Sequence, residues 1–206
     1  MPISFKTRLD QPELMDDFSL DSDELRQTLV QLGWVNRWLG GYAPVLKGVA
    51  ELARSHPPNQ PLRVLDLGCG GADTLKVLAK WARRQGRSLV ATGLDANPAI
   101  VAYAREQSQA WPELSFRQGD CFEPADLEGE WDIMLCSLFL HHFSPAELKQ
   151  LLPELRQRAR LGLVINDLQR HWLAYTLFDW LTTLLPFTPM ARQDGLLSVR
   201  KGFTRA

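Results

Sequence analysis

Cysteine is scarce, with three in 206 residues, at positions 69, 121 and 136, and no CxxC pair among them. That spacing excludes a zinc ribbon or a disulfide-framed secreted domain and suits thiols kept reduced. No run of about 20 uncharged apolar residues occurs, so no helical membrane span is expected. Met1 to Asp10 mixes polar and charged side chains where a secretory signal needs an apolar stretch, and a cytoplasmic location is the expectation. Neither sign of charge dominates: 23 Lys plus Arg stand against 24 Asp plus Glu, a net charge of −1. Without a cationic surface to neutralise a phosphate backbone, nucleic acid is not an expected partner. Repeats and low-complexity tracts are also missing.

What remains has the texture of one ordinary globular domain, 45% apolar and 23% charged. Residues 1–20 lack periodicity and read as an arm that is ordered only if something docks it. From Ser22 the pattern turns helical, with Leu25, Leu29, Val30, Leu32 and Val35 on one stripe, ending at Gly40-Gly41. A second helix over 44–54 stops before Pro57-Pro58. Residues 1–60 thus make an N-terminal arm and helical cap, and 61–206 a second unit.

In that second unit strands alternate with helices: strand 63–67, helix 72–84, strand 89–95, helix 98–107, strands 114–118 and 131–137, helix 145–160, strand 161–167. Such alternation predicts an α/β fold, a Rossmann-like doubly wound, mainly parallel sheet buried by helices on both faces. Asn97-Pro98 and the capping box Ser144-Pro145-Ala146-Glu147 mark two helix starts, and Pro153 is expected to kink or split the second helix. An apolar helical segment over 169–190 carries Trp172, Leu173, Tyr175, Leu177, Phe178, Trp180, Leu181, Leu184 and Leu185, more apolar area than an exposed helix needs. It reads as a helix packed on the domain, as the wall of a lipophilic pocket, or as a surface that docks transiently on a membrane.

The stretch Val64-Leu65-Asp66-Leu67-Gly68-Cys69-Gly70-Gly71-Ala72-Asp73 is an apolar strand, a glycine turn and a helix start, the place where doubly wound sheets bind nucleotides. Asp73 stands where a dinucleotide fingerprint has its third glycine, and with Asp66 it puts negative charge where a pyrophosphate would sit. S-adenosylmethionine has no phosphate and offers an ammonium and a sulfonium, so the charge pattern suits this methyl donor and disfavours a nicotinamide oxidoreductase. Asp95, ending the next strand, is placed to accept both ribose hydroxyls. Gly119-Asp120-Cys121 brings a carboxylate and a backbone amide within reach of an adenine.

As a set, Asp66-Leu67-Gly68-Cys69-Gly70, Gly93-Leu94-Asp95, Gly119-Asp120 and Trp131-Asp132-Ile133-Met134 resemble the successive motifs of class I S-adenosylmethionine-dependent methyltransferases. The resemblance implies that Asp66, Gly68, Cys69 and Gly70 surround the methionine part of the donor. It implies further that Asp95 and Ala96 hold the ribose, that Asp120 and Cys121 hold the adenine, and that Cys136 and Ser137 lie beside the sulfonium. Arg37 and Tyr42 would reach the donor's carboxylate. Leu14-Met15-Asp16-Asp17, Asn36-Arg37-Trp38-Leu39-Gly40-Gly41-Tyr42, Phe139-Leu140-His141-His142-Phe143, Ile165-Asn166-Asp167-Leu168 and Asp194-Gly195-Leu196-Leu197-Ser198 look like a bacterial subgroup encoded beside type III polyketide synthases. That likeness implies O-methylation of a small lipophilic or phenolic acceptor. The family also has a sixth strand and an antiparallel seventh, whereas this sequence reaches Ala206 in what reads as the opening of the helix before them, so those strands are expected to be missing.

Methyl transfer from a sulfonium needs positioning and a deprotonated acceptor. His141 or His142 is the candidate base, the two being equivalent in sequence, and Asp167 is the other residue expected to touch substrate. His56 and His171 are expected at the surface. The strand before Cys136-Ser137-Leu138-Phe139 lacks the Asn-Pro-Pro-aromatic signature of amide and adenine methylation, and no His/Asp/Glu group has metal-ligand spacing, so no metal is expected. A catalytically silent protein binding S-adenosylmethionine or S-adenosylhomocysteine fits the same donor residues, and a homodimer is left open.

Overall fold

The computed structural model describes residues 4–204; the first three residues of the arm and the last two of the chain fall outside them. Helix α1 (Asp23–Trp38) starts on Ser22, whose side chain accepts from the Leu25 amide, and α2 (Tyr42–Leu52) follows. Then come β1 (Leu62–Leu67), α3 (Asp73–Arg84), β2 (Leu89–Asp95), α4 (Pro98–Gln107), β3 (Leu114–Gln118) and β4 (Trp131–Ser137). The chain continues through α5 (Pro145–Arg158), β5 (Ala159–Asn166), α6 (Trp172–Leu184) and α7 (Pro189–Lys201).

All five strands are parallel, in the order β3-β2-β1-β4-β5. The chain therefore moves outward from β1 in one direction and from β4 in the other, and the switch point lies between those two strands, where a doubly wound sheet opens its ligand crevice. Leu67 is level with Leu94 and with Cys136, so the carboxyl ends of β1, β2 and β4 finish together at that crevice.

One face of the sheet packs Val64, Ala91, Ile133 and Leu135 against Val45 and Val49 of α2 and Leu75, Leu78 and Ala79 of α3. The other packs Leu65, Leu67, Met134 and Cys136 against Leu151 and Leu155 of α5. Strands covered on both faces need apolar side chains at successive positions, as β1 and β4 have. Each fully buried leucine here contributes about 1.5–3 kcal/mol. Leu25 and Leu29 of α1 form a smaller cluster with Ile100 and Met190, which seats the cap beside the carboxyl end of β2.

Several expectations are corrected. Pro153 does not split α5, which runs unbroken from its capping box at Ser144 and Glu147 to Arg158. The stretch expected to open a further helix closes α7 instead, and Phe203 makes a parallel bridge to Gln169. His56 is buried and lies 3.2 Å from Asp132, so it anchors the foot of the sheet, while His171 is exposed as the cap of α6. Helix α6 packs on the domain through one side only, with Phe178 against Gly195 of α7. Its other side exposes Trp172, Leu173, Leu177, Trp180 and Leu184, the last two at 66% and 78%. No described helix is long and apolar enough to cross a membrane.

Candidate active site

The turn after β1 is shaped by backbone that side chains resist. Gly68 and Gly70 have φ of +67° and +51°, and a Cβ on Gly68 would overlap the Phe139 ring. Ala72, at +64°, and Leu138, at +55°, are the non-glycine residues with positive φ among those described. They follow β1 and β4 and so flank the switch point. Strain of this kind persists only where the surrounding packing enforces it, and it clusters at binding sites.

Hydrogen bonds tie the turn to β2. The Gly68 and Cys69 amides both donate to the Leu94 carbonyl, at 2.9 and 3.1 Å, and the Gly70 amide donates to Asp95 Oδ2 at 3.0 Å. Asp95 Oδ1 accepts from the Asn97 amide at 3.2 Å. Each oxygen of this carboxylate thus keeps a further lone pair for a ligand. Asp66 differs: it is 2% exposed, and among the described residues no hydrogen bond reaches its carboxylate. Burial and the neighbouring Asp95 push its pKa well up, and burial also raises those of Asp95 and Asp73. Desolvated, repelling carboxylates at one turn are costly unless a cation compensates them.

The remaining sequence candidates fall around this crevice. Ala96 follows Asp95, and Ser137 and the buried Cys136 end β4. Asp120 is exposed and accepts from the Phe122 amide, with Cys121 buried behind it. Arg37 is exposed at the end of α1, and Tyr42 donates its hydroxyl to the Gly33 carbonyl. Gly33 itself abuts the Asp73 carboxylate, which brings the cap onto the turn.

His141 and His142 come together with Asp167 and Asp16, which the sequence motifs contain, and with Glu13 and Lys201, to which nothing in the sequence pointed. His141 Nδ1 is 2.7 Å from Asp167 Oδ1, and His142 Nδ1 is 2.6 Å from Asp16 Oδ1. Glu13 reaches over both rings from the N-terminal segment, 3.6 Å from His141 Nε2 and 3.9 Å from His142 Nε2. Lys201 Nζ lies 3.3 Å from Glu13 and 3.5 Å from Asp16. Burial opposes charge on His141, but Asp167 and Glu13 outweigh it and push the pKa up to about 9. The segment is held down by Asp194, whose carboxylate accepts the Leu14 and Met15 amides at 2.8 and 3.0 Å, and by Ser198, which donates to Glu13 at 2.9 Å. Arg8 adds donors to the carbonyls of Lys201 and His141. The arm is therefore docked, and what docks it is α7 and the turn after β4.

Residues 64–162 match a methyltransferase-domain family. Residues 64–162 thus form a methyltransferase domain, on a sheet with the class I fold. A ubiquinone biosynthesis O-methyltransferase of Azorhizobium caulinodans is 32% identical to it over 97 residues, 47% of this chain and 36% of that one. A non-reducing polyketide synthase of Penicillium rubens is 28% identical over 137 residues, 64% of this chain and 5% of that one. The chain thus spans a minor part of both relatives. The fold of this methyltransferase domain is shared with an O-methyltransferase family protein from Burkholderia thailandensis, at a TM-score of 0.61 and 15% identity, over 94% of this chain and 53% of that one. S-adenosylmethionine is the methyl donor of such domains. The unpaired Asp66 carboxylate fits a donor that carries an ammonium and a sulfonium.

Proposed function

We propose that this methyltransferase domain transfers a methyl group from S-adenosylmethionine to the oxygen of a small lipophilic or phenolic molecule, polyketide- or quinone-like in character. The observation that carries the reading is Asp66, a carboxylate without an internal donor at the turn where β1 meets the switch point. Asp66, Gly68, Cys69 and Gly70 would hold the methionine part of the donor, with Arg37 near its carboxylate. Asp95 and Ala96 would take the ribose, and Asp120 and Cys121 the adenine. Cys136 and Ser137 would lie beside the sulfonium, which supplies an already activated methyl group. A ubiquinone biosynthesis O-methyltransferase and a polyketide synthase among the relatives support an acceptor of the proposed class.

The acceptor must lose a proton, and the histidines after β4 are where it would go. His141 is 3% exposed and its Nδ1 is taken by Asp167 at 2.7 Å, so it is a fixed, enclosed part of the site rather than a base open to an acceptor. His142 has a side chain 22% exposed and its Nδ1 on Asp16, the arrangement in which a carboxylate orients an imidazole base.

Calorimetric titration with S-adenosylmethionine and S-adenosylhomocysteine, with NAD as control, tests the donor. Binding of the first two alone is expected, and failure of both removes the reading. A panel of phenols and hydroquinones then tests turnover by mass spectrometry of the methylated product. Donor binding with no product from any acceptor would favour a catalytically silent binding protein.

A further inference from the structure

The contact between Glu13 and the two histidines is unusual for a set of ion pairs. Both Nδ1 atoms are taken by carboxylates, Asp167 on His141 and Asp16 on His142, at 2.7 and 2.6 Å. Both Nε2 atoms therefore turn to Glu13, yet at 3.6 and 3.9 Å neither makes a hydrogen bond. His141 Nε2 and Glu13 Oε1 are buried without a hydrogen-bond partner, in side chains 3% and 5% exposed. Buried polar atoms are left unpaired at a cost of about 1–3 kcal/mol each. One ligand atom from each of Glu13, His141 and His142 lies within 4.8 Å of the others.

We infer that Glu13, His141 and His142 form a binding site for a divalent transition metal of the zinc type. Ligands about 2.0–2.1 Å from a tetrahedral ion stand roughly 3.3 Å apart. Glu13 Oε1 stands 3.6 Å from His141 Nε2 and Oε2 stands 3.9 Å from His142 Nε2, both wider than that and than a hydrogen bond, and the three ligand atoms lie within 4.8 Å of one another, so an ion would draw the side chains together. Two imidazoles and one carboxylate suit zinc, and they leave a fourth position open. A carboxylate on the far nitrogen of each ligating histidine is the usual support of such sites, fixing the tautomer and making Nε2 the ligand. Asp167 and Asp16 supply that support here.

Charge is compatible with an ion. Four carboxylates, Glu13, Asp16, Asp167 and Asp194, meet the ammonium of Lys201 and the guanidinium of Arg8, leaving a deficit of two positive charges. Two imidazolium rings or one dication over neutral imidazoles would each balance it.

A bound ion would bind the N-terminal segment to the turn after β4. It would also engage the lone pair that His142 needs as a base, so the loaded protein is the closed and inactive form. The site's location beside the acceptor rests on the methyltransferase reading, but its existence does not.

The test is titration of zinc into the chelator-treated 206-residue chain by calorimetry, with cobalt as a spectroscopic probe, in the absence of methyl donor and acceptor. One equivalent of zinc and a tetrahedral cobalt band are expected. Glu13→Gln and the more exposed His142→Ala should each weaken binding by about tenfold or more, while His171→Ala, a surface histidine, leaves it unchanged. Circular dichroism checks that each variant is folded, and His142→Ala carries the test should Glu13→Gln fail to fold. Binding below one equivalent, or affinity equal to the parent in the folded variants, would overturn the site and leave an ion-pair cluster. Neither result bears on whether S-adenosylmethionine binds.

Discussion

Asp95 offers the sharpest test of how the donor site is built. Its two oxygens accept the Gly70 and Asn97 amides at 3.0 and 3.2 Å, so the side chain links the end of β2 to the glycine turn before any ligand arrives. A carboxylate has about four acceptor positions, and these bonds use one on each oxygen. The free pair suits the two ribose hydroxyls. Asp95→Ala removes both sets. Hydrogen bonds to a charged group contribute about 1.5–3 kcal/mol. Part of the loss is offset by relief of the repulsion from Asp95 that, after burial, pushes the Asp66 pKa up. A net loss of about 1.5–3 kcal/mol in affinity for S-adenosylhomocysteine is expected, roughly a 10- to 150-fold rise in Kd. The assay is calorimetry on the parent and variant, with urea unfolding followed by tryptophan fluorescence alongside. Because the Gly70 tether is lost as well, stability should fall with affinity. An Asp95→Ala protein that binds S-adenosylhomocysteine as tightly as the parent would refute both the ribose assignment and the reasoning from lone pairs.

Three further outcomes follow from the packing. Gly68→Ala should lose about 1–2 kcal/mol for its positive φ and about 1–3 kcal/mol more for overlap with Phe139; urea unfolding of Gly68→Ala, Phe139→Ala and the double variant should show the second part recovered, and additive losses would contradict the contact. Burial and acidic neighbours push the Cys121 thiol up to about 12, and the buried Cys69 and Cys136 thiols are raised as well, so a thiolate-selective reagent at pH 8 should label none of them until denaturant is added. Rapid labelling of the folded protein would show that a thiol is open to solvent. Trp180→Ser on the exposed side of α6 should change stability by less than about 0.5 kcal/mol. A loss above 1 kcal/mol in thermal unfolding would mean that something covers this face in solution.

Much of the sheet was legible because local chemistry decides it. The strands at 114–118 and 131–137 and the helix at 98–107 have the bounds their apolar runs and caps indicate. Ser144, Pro145 and Glu147 announce α5, and the helix survives Pro153 because packing of Leu151 and Leu155 outweighs one missing hydrogen bond. His56 was misread because its partner Asp132 is 76 positions away, and nothing in a local window marks the pair. The glycine turn and its carboxylates could be found by their spacing. Glu13 and Lys201 could not, since contacts such as that of Glu13 with Ser198, 185 positions apart, leave no periodic trace.

Those long spans have a consequence for assembly. The bonds from Leu14 and Met15 to Asp194 and from Ser198 to Glu13 join segments 179 to 185 positions apart. The entropy of closing so large a loop grows only slowly with its length, so the bonds need not be weak, but they cannot form until α7 exists to receive them. Synthesis runs from the N-terminus at about 5–20 residues per second. The segment carrying Glu13 therefore emerges first and waits longest. The sheet and its glycine turn can settle during translation, whereas the cover over the histidines waits for α7 to emerge, and until then the nascent chain holds a crevice that is open.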